Sequence, residues 1–486
     1  MRNVISIRDF SKRDIEELID EAFEFKNGRK VEMGLRCIGS LFFEPSTRTR
    51  TSFQIALQRL RCDSFTVGFA GTEGTSVKKG EPLADTLQMY NLFGCEAIIM
   101  RHSFEGAARF ASEVLPIPVI NGGDGSNGHP TQALLDLMTI KEKFGKIDGV
   151  HIAFVGDLKY GRTVHSLVQG LEHYNVKISL VSPSNLDLPA WRVQEYQRKT
   201  GRIIHTTTNL NDVLHADVLY MTRIQRERFP EGRDGDAEFE AVSGQYYLDA
   251  ALLRKAKPGL KVMHPLPRYK HKLEMAMNVD KTPHAIYFDQ VINGINMRQA
   301  ILVRVLGEGF DHNTIPPSTA DYAEHLPIHR RSEKPPRFYI FDNGTFIDHI
   351  EPGVGYKLRP LLGLMDYRES PLLAVNNLPS KRQGSKDVYG IANKYFTPEQ
   401  LWKIALVSDN ATINIIRGGE VQEKFKVRLP PLLEGIVACT NPMCVSYEDN
   451  HEHVTPKFHV ETQSPLQIRC HYCERPTGKE NLKILY

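Results

Sequence analysis

Residues 42–50 read Phe42-Phe43-Glu44-Pro45-Ser46-Thr47-Arg48-Thr49-Arg50. The run before them, Cys37-Ile38-Gly39-Ser40-Leu41, is a strand pattern, and Phe53, Ala56, Leu57 and Leu60 after them share one helix face. Pro45 separates the two patterns, and Ser46 or Thr47 is the expected N-cap. The stretch therefore predicts a strand turning directly into a helix. Free backbone N–H groups and the positive end of the helix dipole favour an anion at such a turn. Hydroxyls at 46, 47 and 49 and guanidinium groups at 48 and 50 suit a phosphate. From these residues alone, the alternative is an exposed basic helix start.

The rest of the chain supplies context. At 486 residues it is too long for one core, so two to four domains are expected. Hydrophobic residues at 41% and charged residues at 24% are ordinary for a globular protein, and a net charge of +3 is too small to imply a nucleic-acid partner. The first twenty residues carry charges throughout, and no apolar run is long enough to span a bilayer. A cytoplasmic protein with no membrane partner is expected. Cys37, Cys62 and Cys95 lie beside apolar residues and read as reduced buried thiols.

Up to about residue 130, strand-like and helix-like runs alternate: Ala97 to Met100, Phe104 to Val114, then Ile117 to Ile120. Alternation of this kind predicts a parallel sheet covered by helices, with ligands at the carboxyl ends of the strands. Three polar clusters fall at those ends: Ser46–Arg50, Arg101-His102, and the glycine-rich run from Asn121 to His129-Pro130-Thr131-Gln132. The last could be a bare turn. It nevertheless opens a helix-like run, Leu134 to Ile140, from which His129 and Gln132 could reach the pocket of Arg48 and Arg101.

A second alternating block runs from about 145 to 285. His151 to Gly156 is a strand, followed by a turn to Arg162-Thr163 and an amphipathic run through Leu171. A dinucleotide-binding turn is the rival, but the full Gly-x-Gly-x-x-Gly and the acidic residue after the next strand are both missing. Arg162 at a helix start suits a carboxylate instead. Asp217 to Thr222 is a strand leading into Arg223 and Gln225, and Leu260 to Met263 leads into His264-Pro265-Leu266-Pro267. Two prolines forbid regular structure there, leaving carbonyls free to accept hydrogen bonds from a substrate amide. Val291, Ile295, Leu302 and Leu306 then share one face of a long helix.

From Phe310 to Arg337 the composition becomes that of a linker, rich in proline and histidine. Beyond it, Asn343-Gly344 predicts a two-residue hairpin turn, Thr397-Pro398-Glu399-Gln400 a capping box, and Gly418-Gly419 a second hairpin. A small α+β domain is expected. Cys439 and Cys444 are followed, after about twenty-five residues, by Cys470 and Cys473. Two thiol pairs so spaced predict tetrahedral structural zinc, with disulfides as the alternative. Four ligands leave no open position for chemistry.

Ser-Thr-Arg-Thr-Arg after Phe-Phe-Glu-Pro, together with Gly-Ser-Asn-Gly-His-Pro-Thr-Gln at 125–132, resembles the two signatures of the aspartate and ornithine carbamoyltransferases. The likeness covers nearly all of residues 1–309. The resemblance implies carbamoyl phosphate held by Ser46, Thr47, Arg48 and Arg101, with Thr49, Arg101 and His129 stabilising the carbonyl oxygen. It gives the carbamoyl NH2 to Gln132 and the carbonyls of Pro265 and Leu266. Arg162, Arg223 and Gln225 match the residues that hold L-aspartate, and two guanidinium groups answer a dicarboxylate as they would not answer ornithine. The loop Thr75-Ser76-Val77-Lys78-Lys79-Gly80 resembles one that enters a neighbouring subunit's site, with Ser76 and Lys79 as the matching residues. It is one residue shorter than the common form, which keeps Lys78 in contention. Shared sites imply a homo-oligomer, at least a trimer. By the same resemblance Glu44 pairs with Arg162 and Arg228 on closure.

Residues 338–486 resemble the regulatory chain of the aspartate enzymes, on Gly344 to Ile350, Asn377 to Ser380 and the four cysteines. The resemblance implies nucleotide effectors, CTP and ATP, at Asp348, His349 and Lys424, although a lysine of that site stands here as Gly390. The expected fold is thus α/β: two doubly wound parallel-sheet domains forming the catalytic part, then a small α+β regulatory domain and a four-cysteine zinc-binding domain. The expected boundaries are 1–140, completed by a return helix at 286–309; 141–285; a linker at 310–337; 338–432; and 433–486. No cofactor is expected for the chemistry and no nucleic-acid partner for the zinc region. The alternative is a carbamoyltransferase for another amino acid whose zinc region binds nucleic acid or protein.

Overall fold

The structure, a computed structural model, describes residues 3–61, 65–226, 229, 232–307, 322–328, 341–364, 372–380 and 384–485. It divides into two compact units, 1–313 and 314–486. Cys62, Arg228 and most of the expected linker lie outside the described residues.

In the first unit, β1 (Cys37–Phe42), β2 (Phe65–Ala70), β3 (Ala97–His102) and β4 (Val119–Asp124) form a parallel sheet in the order β2-β1-β3-β4. Its helices are α1 (Lys12–Lys26), α2 (Thr47–Arg59), α3 (Leu83–Leu92), α4 (Ala107–Val114) and α5 (Pro130–Phe144). The helix expected from Phe104 begins three residues later, because the Phe104 N–H donates to His102 Nδ1 at 2.9 Å and Gly106 takes φ 82. Conversely, β4 runs on through Asn121 to Asp124, into the stretch whose glycines suggest a turn. Asn121 secures it, donating to the Ile5 carbonyl and accepting from the Gly123 N–H.

The second sheet is also parallel, in the order β7-β6-β5-β8-β9: β5 (His151–Val155), β6 (Lys177–Val181), β7 (His205–Thr207), β8 (Val218–Met221) and β9 (Lys261–Met263). Around it run α6 (Arg162–Gly170), α7 (Ala190–Thr200), α8 (Arg233–Val242) and α9 (Ala250–Leu253). The long α10 (Tyr287–Leu306) returns to pack on α1, α2 and α5. One apolar cluster extends from Val4 and Ile38 through Leu134 and Leu167 to Phe154, Tyr220 and Val305, so the two sheets share a core. The face of α10 differs from its apolar pattern. Val291 is 39% exposed, while Gln290, Asn293, Asn296, Arg298 and Gln299 are buried with Met297, Ile301, Leu302 and Val305. Buried hydrogen bonds, such as Asn293 Nδ2 to Thr139 Oγ1 at 3.1 Å, make these polar positions compatible with a core.

In the second unit a six-stranded antiparallel sheet has the order β10-β15-β14-β11-β13-β12: β10 (Ala323–His325), β11 (Gly344–Ile350), β12 (Leu372–Ser380), β13 (Gly384–Ala392), β14 (Thr412–Arg417) and β15 (Glu420–Val427). The capping box forms as expected, with Thr397 and Gln400 exchanging hydrogen bonds at the start of a helix over Pro398–Val407. The Gly418-Gly419 hairpin joins β14 to β15. Asn343-Gly344, however, opens a central strand, since Gly344 pairs with both Ala392 and Ile416. The stretch read as linker at 310–337 also contains an edge strand: β10 pairs with β15, and Tyr322 and His325 pack their rings on Phe425. Three residues among prolines and histidines are too few for periodicity to reveal. Smaller sheets over 432–484 complete this unit. No helix among the described residues is long and apolar enough to cross a membrane.

Gly156, at the end of β5, takes φ 112, and a Cβ there would stand 2.4 Å from the Thr222 carbonyl oxygen. That close approach fixes the loop carrying Arg223. Gly156→Ala should therefore lower unfolding stability by about 2–4 kcal/mol in a denaturant melt; an unchanged midpoint would show that the loop yields freely.

Candidate active site

The carboxyl ends of both sheets of the first unit face a cavity of about 670 Å³. Ser46, Thr47, Arg48 and Thr49 reach it from the start of α2, Arg101 from the end of β3, and His129 and Gln132 from the start of α5. Arg162 comes from the start of α6, Arg223 and Gln225 from the segment after β8, and Pro265 and Leu266 from the segment after β9. Each group thus sits where a strand ends or a helix begins, as expected of ligand sites in parallel sheets. Ser46 is the N-cap of α2 but makes no capping hydrogen bond, so its hydroxyl joins the free N–H groups of the first turn. The β3–β4 ladder shifts register between Met100 and His102, which bends the strand at Arg101.

The cavity is strongly cationic. Burial and the nearby charge of Arg223 both lower the pKa of Arg48. Arg101 and Arg162 share one carboxylate, Glu44, at 3.3 and 3.2 Å. Arg162 Nη1 also donates to the Gly125 carbonyl at 2.8 Å, and its guanidinium lies over Gly123, where a Cβ would come within 3.2 Å of Cζ. His129 is buried and held well below its ordinary pKa, first by burial and then by Arg162, Arg101 and Arg298. It is therefore a neutral imidazole at physiological pH. Its Nε2 lies 3.3 Å from Thr49 Oγ1, its Nδ1 3.4 Å from Thr131 Oγ1, and its backbone N–H donates to Ser166 Oγ at 2.8 Å.

In and behind the cavity wall are residues whose part the sequence does not reveal. Asp136, one turn beyond Gln132, is completely buried and accepts from Gln132 Nε2, Gln290 Nε2 and Tyr220 Oη. Burial pushes its carboxyl up to about 7 against these hydrogen bonds, and the same burial lowers Arg298 to about 10. Gln225 Nε2 donates to the Tyr160 carbonyl at 3.2 Å. In the loop after β9, His264 Nδ1 accepts from the Leu266 N–H at 2.7 Å while Nε2 faces Glu274 Oε1 at 2.7 Å. Leu266 itself sits at φ 55, a strained value for a branched side chain. The i, i+4 spacing of Gln132 and Asp136 was the one sequence signal for this wall.

Ser76, Lys78 and Lys79 lie on a short helical turn, all exposed, and none lines this cavity. Lys78 pairs with Glu73 at 2.9 Å within the same loop.

In the second unit, Asp348 Oδ1 pairs with Lys386 at 2.6 Å, and Asp348 Oδ2 lies 3.1 Å from His349 Nδ1. Lys424 on β15 is in register with Asn414 on β14, which is itself opposite Phe346 on β11. Asp348 and Lys424 therefore share a sheet face. Gly390 is opposite Phe346, and a Cβ there would approach the rings of Phe341 and Phe346 to within 3.0–3.1 Å, which leaves little room for a lysine.

The sulfurs of Cys439, Cys444, Cys470 and Cys473 are buried and lie within 4.8 Å of one another. Cys439 and Cys473 are 3.7 Å apart, and Cys444 and Cys470 3.8 Å. A tetrahedron with metal–sulfur bonds of about 2.3 Å has edges of about 3.8 Å, so the donor set fits Zn2+. The geometry does not fit two disulfides, whose sulfurs would be about 2 Å apart. Cys37 and Cys95, by contrast, form only a pair, 3.6 Å apart.

The shared two-sheet fold and its arginine-rich cavity define a carbamoyltransferase of the aspartate/ornithine class. Residues 2–142 match the model of the aspartate/ornithine carbamoyltransferase carbamoyl-P binding domain, and residues 148–305 that of the Asp/Orn binding domain. Residues 340–428 and 431–483 match the allosteric and metal binding domains of the aspartate carbamoyltransferase regulatory chain. The chain belongs to the aspartate carbamoyltransferase family, with catalytic and regulatory regions in one polypeptide. It is similar to the catalytic subunits of Thermococcus onnurineus, 50% identical over 63% of this chain and 97% of that protein, and of Chromobacterium violaceum, 49% identical over 63% and 98%. Among solved structures, the catalytic subunit of M. Jannaschii aspartate transcarbamoylase matches at TM-score 0.56 and 42% identity over 63% of this chain and 98% of its own. The Trypanosoma cruzi aspartate transcarbamoylase, in complex with carbamoyl phosphate and aspartate, matches at 0.57 and 39% over 62% and 95%.

One Zn2+ per chain is expected by metal analysis. Cys473→Ser should lose it and unfold the region around 431–483, because the fold there is coupled to the metal, while carbamoyl transfer by the first unit persists; full retention of both metal and structure would refute a four-thiolate site.

Proposed function

We propose that the cavity transfers the carbamoyl group of carbamoyl phosphate to the amine of L-aspartate, giving N-carbamoyl-L-aspartate and phosphate, the committed step of pyrimidine biosynthesis. The observation that carries this reading is the convergence of Arg48, Arg101, Arg162 and Arg223 on one cavity, where Arg101 and Arg162 both reach Glu44. Four guanidinium groups drawn to one cavity suit a phosphate dianion beside a dicarboxylate.

In this reading Ser46, Thr47, Arg48 and Arg101 bind the phosphate with the α2 N-terminus. Arg162, Arg223 and Gln225 fix the two carboxylates. Gln132 Oε1 and the Pro265 and Leu266 carbonyls accept from the carbamoyl NH2. As the amine attacks, charge gathers on the carbonyl oxygen, where Thr49, Arg101 and neutral His129 donate to it. The new C–N bond forms, the C–O bond to phosphate breaks, and the amine proton leaves on the departing phosphate. No protein nucleophile is required, since orientation in a charged and closing pocket supplies much of the rate.

Lys79, with Ser76, would complete the site of a neighbouring subunit in a homo-oligomer of at least three chains. Two observations support this: the loop is absent from its own cavity, and Leu92 and Phe93, just beyond it in sequence, are 81% and 63% exposed. The Lys78–Glu73 pair favours Lys79 for the role. Asp348, His349 and Lys424 form the proposed nucleotide site for CTP or ATP, in a cytoplasmic enzyme.

Arg48→Ala should lower kcat/KM by about a thousandfold in a phosphate-release assay, and a loss below about tenfold would remove its phosphate role. Replacing aspartate by ornithine should give no product, whereas comparable turnover would overturn the substrate assignment. Arg223→Ala should raise KM for aspartate far more than KM for carbamoyl phosphate.

A further inference from the structure

The geometry points to Asp136 as a positioning residue that sets the polarity of the carbamoyl end of the cavity, by holding both Gln132 and Gln290 with their NH2 groups inward. This inference rests on the proposed function, in which Gln132 Oε1 and the Leu266 segment receive the carbamoyl NH2.

An ionised carboxylate can only accept hydrogen bonds. Asp136 Oδ1 receives Gln132 Nε2 at 2.9 Å and Gln290 Nε2 at 2.6 Å, while Tyr220 Oη occupies Oδ2 at 2.7 Å. With Nε2 turned to the carboxylate, each glutamine directs its Oε1 the other way, so the oxygen is what it presents elsewhere. Gln132, on the cavity wall, presents an acceptor to the ligand. Gln290 turns its Oε1 to the His264 backbone N–H at 3.0 Å. His264 Nδ1 in turn accepts the Leu266 N–H at 2.7 Å, which fixes the peptide whose carbonyl faces the carbamoyl group. Both halves of the amide-binding wall, one on α5 and one after β9, are therefore oriented from a single buried oxygen. A donor in place of that oxygen would let the amides reverse, and a reversed Gln132 would present NH2 to NH2. Arg298, buried nearby, contributes positive charge that favours the ionised form.

The test compares carbamoyl phosphate with acetyl phosphate, which keeps the phosphate and carbonyl but carries CH3 where the NH2 belongs. Binding constants are measured on the full chain at pH 8.5, where Asp136 is ionised. The wild type should prefer carbamoyl phosphate by about tenfold or more, the range for one well-made set of hydrogen bonds. Asp136→Leu should abolish most of that preference while changing the affinity for acetyl phosphate less than about threefold. Asp136→Asn, which can keep an oxygen toward both glutamines, should restore the preference to within about threefold. Should Asp136→Leu fail to fold, Gln290→Leu, which releases only the His264 half, should reduce the preference several-fold. An unchanged preference in either folded leucine variant, or equal weakening of both ligands, would overturn the positioning role. Absence of preference in the wild type would instead overturn the assignment of the amide-binding wall, and this proposal with it.

Discussion

Repulsion among guanidinium groups is the constraint on which the rest of this structure depends. Burial lowers the pKa of Arg48 and the charge of Arg223 lowers it further, while Arg101 and Arg162 both reach Glu44. Such a cluster is unfavourable until anions enter it, so the scaffold must hold it open. Parallel sheets solve this by ending their strands on one side, where each arginine is anchored by its own strand or helix start. Gly123 makes room for one guanidinium, and Gly156 allows the close backbone approach that carries another. Burial first, and then the same positive field, hold His129 neutral, so in the proposed reaction it offers a hydrogen bond and not a proton.

Behind the charged wall lies a second, quieter layer. Asp136, Tyr220, Gln290 and Arg298 are all buried, drawn from α5, β8 and α10, and they join the cavity to the core shared by the two sheets. Burying a carboxyl and a guanidinium is costly unless each is well hydrogen-bonded. Asp136 accepts three hydrogen bonds, which give the amide groups of the wall a defined direction, while Arg298 donates to the Gly294 carbonyl and lies over the Phe53 ring. In this way the return helix does more than close the fold.

Much of this was legible in the residues. The Pro45 break between a strand and a helix pattern marked the helix start that opens on the cavity, the strand-end positions of Arg101, Arg162 and Arg223 marked its walls, and the cysteine spacing marked the four-thiol cluster. What was hidden shares a physical cause. α10 buries amides and a guanidinium that an apolar pattern cannot reveal, so Val291 read as core although it is half-exposed. β10 is three residues long in a stretch with the composition of a linker, and β4 runs through glycines that usually mark turns. Asp136 sat one helical turn from Gln132, yet a lone carboxylate on a helix has many simpler meanings. In the second unit, the rings packed over Gly390 account for the missing lysine only once strand register is known.

The central claim is that guanidinium groups from separate strands act together on one pair of anions. Calorimetric titration with a phosphonate joined to aspartate by a short acyl link tests it most directly, because that ligand carries both anionic ends at once. For the wild type, the account predicts one ligand per chain. Arg48→Ala and Arg223→Ala should each weaken binding by about 2–5 kcal/mol, with the double variant showing coupling between them. Wild-type affinity in either single variant would mean that the two arginines serve different ligands, and would contradict the account.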